Sequence, residues 1–393
     1  VTPFLLLAIA VLSAGFAKTM AMWVNWICAQ KLAKKLVIAD KGLNLLLITV
    51  YPVTLLYGLV WRQRSSPITS FSQIETEWWV LLALGAFGFI ALIVATIRFW
   101  RYRPPACEIS VSSSTIDLRT DPDWKRSLVG PKGRMRLVAL LPGNEQFRID
   151  VSTKTYRLPR LPACWDGVSI VHLSDFHYYS GVARRYFDIV CEQAAALQPD
   201  LLIFSGDLLD DQRNIDWIAG TLGRLQGRLG QFFVLGNHDW YLNPAATRAE
   251  LVRVGWTDLT AGNVILHPSS SDGLPLVLCG DETPWMGSHP TLDSVPADAF
   301  RILVSHTPDN IGWARRHRID LMLSGHTHGG QVRLPILGPV YSPSNHGCRF
   351  SAGVFWMDPT LMYVSRGVSG KEPIRYNCPP EVTRLILKGP ESK

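Results

Sequence analysis

The chain has 393 residues, 47% of them hydrophobic and only 18% charged, with a formal net charge of +7. The length exceeds one ordinary domain, the apolar excess argues for membrane segments, and the charge suits an anionic substrate or membrane surface no better than a solvated basic face. Seven cysteines, Cys28, Cys107, Cys164, Cys191, Cys279, Cys348 and Cys378, are scattered, odd in number and without a C-x-x-C pair, which argues against a disulfide framework or a thiolate zinc site and for free thiols in a reducing compartment.

Val1 stands where a start methionine would, so the natural start is open. Val1 to Gln30 is apolar apart from Lys18 and predicts a first membrane span. No basic region precedes it, as a signal peptide would require. Gly42 to Trp61 and Trp78 to Ile97 are twenty uncharged residues each, enough to cross a hydrocarbon core of roughly 30 Å as helices. Tryptophans at their ends suit the membrane interface. The first loop carries Lys31, Lys34, Lys35 and Lys41, and Arg98, Arg101 and Arg103 follow the last span. The loop between the two clear spans carries Arg62 and Arg64, offset by Glu75 and Glu77. By the Lys/Arg bias the first loop and the C-terminal part face the cytoplasm. Residues 1–103 are thus expected as an integral inner or plasma membrane module.

Pro104-Pro105 ends the last helix. Residues 104–160 predict a β-rich connector, with a hairpin formed by Arg136–Leu141 and Gln146–Val151 around Pro142-Gly143-Asn144. From about residue 161 to 390, short apolar runs alternate with amphipathic stretches, of which Tyr186–Leu197 and Ile215–Leu229 predict helices. This alternation predicts an α/β core. The runs Val168–Leu173, Leu201–Phe204, Phe232–Leu235, Ile302–Val304 and Leu321–Leu323 each lead into Asp, Asn or His at the carboxyl edge, where α/β sheets bind ligands.

Asp175 and His177 stand two apart, which at a strand end puts both on one side. His326 and His328 repeat the spacing. Their oxygen and nitrogen donors suit Mn, Fe or Zn. Two clusters with a carboxylate to bridge them predict two divalent ions roughly 3.5–4 Å apart, able to clamp a phosphoryl group and activate a hydroxide for in-line attack. Singly, each motif has a structural reading: D-x-H is common, Gly206-Asp207 is a turn, and Gly-Asn-His-Asp can cap a helix. Five in this order do not share one.

The ordered set Asp175-Phe176-His177, Gly206-Asp207, Gly236-Asn237-His238-Asp239, His306 and Gly325-His326-Thr327-His328 resembles the calcineurin-like metallophosphoesterases over roughly residues 160–390. The resemblance implies a four-layer α-β-β-α sandwich of two mixed sheets. It implies that Asp175, His177 and His328 hold one metal, that Asn237, His306 and His326 hold the other, and that Asp207 bridges both. His238 would stabilise the phosphate or protonate the leaving oxygen, with Asp239 orienting its ring. Gly206-Asp207-Leu208-Leu209-Asp210-Asp211 departs from the family's protein-phosphatase pattern. The stretches Gly325–Gln331, Tyr363–Gly367 and Pro373–Glu381 instead look like a bacterial membrane-associated branch, some members of which resemble UDP-2,3-diacylglucosamine pyrophosphatases of lipid A synthesis. Related tails read Arg-Gly-Leu-Gly, whereas here Val368-Ser369-Gly370 adds a residue in a loop expected near substrate.

The expected activity is therefore hydrolysis of a phosphodiester or pyrophosphate in a lipid-linked or nucleotide-linked substrate, with Arg366 and Arg375 binding phosphate or, equally, making surface salt bridges. Alternatives are a nucleotide phosphodiesterase and a metal-binding membrane scaffold or sensor. A nucleic-acid partner is not expected, since no basic stripe interleaves with aromatics.

Overall fold

The computed structural model describes residues 3–65, 76–130, 133–179, 181–268 and 273–391. The chain divides into two compact units, Val1–Tyr102 with Leu334–Arg349, and Arg103–Arg333 with Phe350–Lys393.

The first unit is built on α1 (Pro3–Cys28), α2 (Lys34–Ser65) and α3 (Thr76–Arg101), three helices long and apolar enough to cross a membrane. They correspond to the three expected spans. Arg62 and Arg64, expected in a loop, fall within the last turns of α2; Val1 and Glu75 lie outside the described residues. Small residues set the crossing of α1 and α3: a Cβ on Gly15 would meet the Gly85 carbonyl oxygen at 1.9 Å, and one on Gly88 would meet the Gly15 oxygen at 1.8 Å. Such backbone approach is how helices pack in lipid, where burial supplies no drive. Phe16 stacks on Tyr51 of α2 at 4.0 Å.

The second unit contains the two large sheets. Its strands are β1 (Glu108–Asp117), β2 (Arg148–Arg157), β3 (Ser169–Leu173), β4 (Leu201–Phe204), β5 (Gly230–Phe233), β6 (Thr257–Asp258), β7 (Val264–Leu266), β8 (Leu276–Asp281), β9 (Phe300–Ser305) and β10 (Leu321–Ser324). After a small ribbon of β11 (Arg333–Leu334) and β12 (Gly338–Pro339) come β13 (Gly353–Met357), β14 (Thr360–Val364) and β15 (Glu381–Lys388). One sheet has the order β1-β2-β15-β3-β4-β5-β6 and the other β13-β14-β10-β9-β8-β7. Both are mixed: β3 to β6 run parallel, as do β8, β9, β10 and β14, while β15 is antiparallel to β3 and β13 to β14.

Strand alternation explains the layering. Ile170, Leu201, Ile203, Ile302, Val304, Leu321 and Leu323 fill the core between the sheets. Val171 and Leu202 face the other way, onto Tyr186, Phe187 and Val190 of the helix Arg184–Ala196. Leu303 and Met322 pack against Ile311, Trp313 and Ala314 of the helix Ile311–Arg316. The result is helix, sheet, sheet, helix.

Three expectations are corrected here. Residues 104–160 are not a connector apart from the catalytic fold, because β1 and β2 extend the seven-stranded sheet through β15. The hairpin around Pro142-Gly143-Asn144 does not form: Arg134–Ala139 is a helix, and β2 pairs with β1 instead. Asn144 causes this, its Nδ2 donating to the carbonyls of Val138, Ala139 and Pro373 while its Oδ1 accepts from the amides of Gln146 and Arg375. The helix expected over Ile215–Leu229 shrinks to Trp217–Gly220 and a 3-10 turn at Leu222–Arg224, since Gly220, Gly223 and Gly227 interrupt it.

Candidate metal centre

β3, β4, β5, β9 and β10 all end at the same rim, and their next residues carry the chemistry. Asp175, His177, Asp207 and His328 bring one ligand atom each within 4.8 Å of one another, as do Asp207, His306 and His326. Asn237 joins the second group, its Oδ1 lying 3.2 Å from His306 Nε2. All seven residues read as ligands therefore converge, and Asp207 is common to both groups.

The backbone is strained to bring them there. Asp175, His177, Asp207, His326 and His328 all have positive φ, between 50° and 69°, a region costing an L-residue of order 1 kcal/mol or more each. Backbone bonds hold the turns: the amides of Asp175 and His177 donate to the carbonyls of Gly206 and Asp207, each at 3.0 Å. Glycine is needed where strand ends crowd: a Cβ on Gly236 would meet Asp207 Oδ1 at 2.1 Å, and one on Gly325 would meet Ser174 Oγ at 1.7 Å.

The hydrogen bonding assigns the free lone pairs. His306 Nδ1 donates to the Ser205 carbonyl at 2.7 Å, His328 Nδ1 to the Ser369 carbonyl at 3.1 Å, and His177 Nδ1 to Asp210 Oδ2 at 3.1 Å. Each ring then presents an unprotonated Nε2 to the centre. His177 Nε2 faces His328 Nε2 at 3.2 Å. His306 Nε2 faces His326 Nδ1 at 3.1 Å and Asp207 Oδ2 at 3.3 Å. Acceptors facing acceptors repel unless a cation lies among them, and ligands about 2.1 Å from an ion stand about 3.0–3.4 Å from one another. Asp207 Oδ2, buried and without a hydrogen-bond partner, also lies 3.6 Å from His177 Nε2. The donor set therefore fits divalent metal.

The electrostatics agree. Burial disfavours the charge on Asp207, yet the surrounding His306 and His238 hold its carboxyl well below the usual range. Burial opposes ionisation of Asp175 in the same way, and His328 and His177 overcome it. Burial pushes His328 down to about 3 and His326 well below the imidazole range, so both are neutral with lone pairs to give. Burial also opposes the charged forms of His177 and His306, but Asp210 raises the first well above the ordinary value and Asp207 raises the second to about 9; the carboxylates alone would favour a proton on these two rings, and a bound divalent ion would take that proton's place on Nε2.

Three residues make contacts other than those their expected roles call for. Asp239 does not orient His238. It is buried at the start of the helix Asn237–Trp240 and accepts from the amides of Gly236, Leu208 and Leu209. Adjacent residues on a helix do not face each other, so Asp239 organises the two ligand turns instead. Arg375 is fully buried and donates to the carbonyls of His328, Arg366 and Ser369. Arg366 is bound to Glu381 at 2.8 Å and Asp150 at 3.0 Å. These bonds direct both guanidinium groups into the protein.

The residue missed is Asp210. Its Oδ2 takes His177 Nδ1 and its Oδ1 takes His238 Nδ1, so one carboxylate orients both rings. Its signal was the spacing of three from Asp207. The inserted Val368-Ser369-Gly370 braces the centre through backbone: Val368 and Ser369 amides donate to the carbonyls of Ser174 and Asp175.

A family model described as calcineurin-like phosphoesterase matches residues 168–330. The chain is 31% identical over 224 residues to "Phosphodiesterase YaeI" of Escherichia coli (strain K12), covering 56% of this chain and 81% of that protein. It is 31% identical over 258 residues to "Transmembrane protein with metallophosphoesterase domain" of Bos taurus, covering 61% of this chain and 57% of that protein. It is 27% identical over 285 residues to "UDP-2,3-diacylglucosamine pyrophosphatase LpxG" of Chlamydia muridarum (strain MoPn / Nigg), covering 58% and 85%.

Proposed function

Because the chain belongs to the calcineurin-like metallophosphoesterase family and is a phosphoester hydrolase, we propose that it cleaves a phosphodiester or pyrophosphate bond in a lipid-linked or nucleotide-linked substrate. The observation that carries the two-ion form of this reading is Asp207 Oδ2, unpartnered and shared by both ligand groups. Asp175, His177 and His328 would hold one divalent ion and Asn237, His306 and His326 the other. Bound ions would polarise the phosphoryl oxygens and lower the pKa of a water.

The chain's own groups do the rest. His238 Nδ1 is tied to Asp210, which leaves Nε2 to meet a phosphate oxygen or to protonate the departing one. Its ring stands edge-on to His177 at 4.6 Å and is partly exposed, as a group reaching a substrate must be. Trp285 closes the other side, 4.9 Å from the His326 ring, and buried aromatic surface there keeps bulk water from the ligand shell. The lipid-linked substrate is favoured by the three apolar helices on the same chain and by the substrate named for the Chlamydia relative. The catalytic unit would face the cytoplasm.

The test is hydrolysis of bis-p-nitrophenyl phosphate and of UDP-2,3-diacylglucosamine, with Mn²⁺ added or chelated, by wild type and Asp207→Ala. Metal-dependent turnover of both, lost in the variant, is expected. Turnover of the model ester alone would keep the enzyme class and discard the lipid substrate; no turnover by folded protein in any metal would favour a binding role.

A further inference from the structure

Leu334 stands six residues after His328, and the segment Leu334–Arg349 groups with the three apolar helices. Its contacts there run across one end of all three. Trp100 Nε1, in the last turn of α3, donates to the Ile336 carbonyl at 2.7 Å. Gly338 lies so close to Phe99 that a Cβ would meet the ring at 2.7 Å. Lys41 of α2 sits 5.6 Å from the centre of the Tyr341 ring. The Ser342 amide donates to Asn25 Oδ1 at 2.9 Å, and Gln30 bonds Asn345 at 2.8 Å, both at the end of α1. The segment is a strap over the bundle end.

Its leading part, Leu334-Pro335-Ile336-Leu337, is apolar but not tucked in. Ile336 is 71% exposed and Leu334 42%. Ile336 also has φ +69°, a region that a β-branched residue enters only under strain. Strain that turns an apolar side chain outward gains nothing in water. It gains burial if the surroundings are lipid. The place fits. α3 has 26 residues, about 39 Å of helix against a hydrocarbon core of about 30 Å. Its last turn, with Phe99 and Trp100, therefore falls in the interfacial layer that tryptophan prefers. Arg98, Arg101 and Arg103 surround it with cations suited to anionic headgroups.

We infer that residues 334–337 form a membrane-contact loop, with Leu334 and Ile336 entering the boundary between headgroups and acyl chains beside Trp100. The partner is the lipid surface itself. The inference rests on the three helices crossing a bilayer, and the experiment separates the two. Full-length protein carrying Cys164→Ser, which removes the exposed thiol, receives Ile336→Cys, Leu334→Cys or, as control, Ile90→Cys from the exposed face of mid-α3. Each is labelled with an environment-sensitive fluorophore, corrected for labelling of the parent, and reconstituted into phosphatidylcholine–phosphatidylglycerol vesicles. Labels at 334 and 336 are expected to emit to the blue of the aqueous value and to lose most of their fluorescence to nitroxides placed shallowly on the lipid, while resisting iodide in the buffer. An aqueous spectrum with iodide quenching at 334 and 336, beside a lipid-buried label at 90, would overturn the loop and keep the spans. An aqueous label at 90 would overturn both.

Discussion

Asp210 shows how a single buried carboxylate can govern a site without touching substrate. It accepts from His177 and from His238, so it sets the tautomer of one ring that faces the metal centre and of one that faces the phosphate. Removing an orienting partner of this kind costs about 10–100-fold. Asp210→Asn, which keeps the size, is expected to lower kcat on bis-p-nitrophenyl phosphate by about that factor with a smaller change in KM, at little cost in thermal stability. A fall in stability with unchanged kcat would make Asp210 merely structural. His172, buried beneath the rim and bonded to Ser205 Oγ at 2.8 Å, makes a second prediction. Burial drives its pKa down to about 4 from an ordinary 6.5. The unfolded chain binds the proton first, so stability is full above pH 6.5 and falls as pH drops towards 4, by about 2 kcal/mol at pH 5 from this one group. His172→Gln should lose correspondingly less between pH 7 and pH 5 in thermal melts; equal losses would remove His172 as a source of acid sensitivity. At this scale the site was largely legible. Every ligand sits directly after an apolar run, and a polar side chain at a buried strand end needs a reason. Asp239 misled because sequence adjacency to His238 says nothing of direction, and Asp210 was overlooked because its two partners come from two other turns.

The turns and helices that carry these residues depend on groups far along the chain. Arg375 ties the carbonyls of His328, Arg366 and Ser369 together, and Ser369 in turn fixes His328. Arg375→Ala leaves these buried acceptors without their donor, at a cost of at least about 3 kcal/mol. The melting temperature and metal-dependent turnover are expected to fall together. A raised KM at unchanged melting temperature would restore Arg375 as a phosphate ligand. In the helical unit, Gly15→Leu or Gly88→Leu would drive a side chain into backbone of the facing helix and is expected to destabilise the detergent-solubilised protein by about 1–3 kcal/mol. Gly42→Leu, where a Cβ meets nothing within 4 Å, is the neutral control. These elements also mark where pattern reading stops. The five rim strands and the helix Arg184–Ala196 follow from periodicity. The helix Arg134–Ala139 and the pairing of β2 with β15 follow from Asn144 and from strands more than 200 residues apart, which no local window contains.

For the whole molecule the prediction concerns which side of the membrane holds the catalytic unit, and it rests on the Lys/Arg bias. With three spans, the connection between α1 and α2 and everything after α3 lie on one side. That side carries Lys31, Lys34, Lys35 and Lys41 together with Arg98, Arg101 and Arg103, the positive bias of a cytoplasmic face. Separately, the strap from the catalytic chain bonds Asn25 and Gln30 at the end of α1, which places the strap and the first connection at the same bundle end without any appeal to charge. Protease added to inverted membrane vesicles is therefore expected to digest the C-terminal unit and leave a fragment carrying the three helices. In sealed right-side-out vesicles the unit should stay intact until detergent is added. Replacing Lys31, Lys34 and Lys35 with Gln weakens the charge signal but leaves the strap's bonds to Asn25 and Gln30, so digestion should become mixed only if insertion is decided by charge before the strap can form. Cleavage of the wild-type unit in intact right-side-out vesicles would place it outside, where a cytoplasmic nucleotide-linked lipid could not reach it, and would redirect the search for substrate to phosphoesters on the outer side.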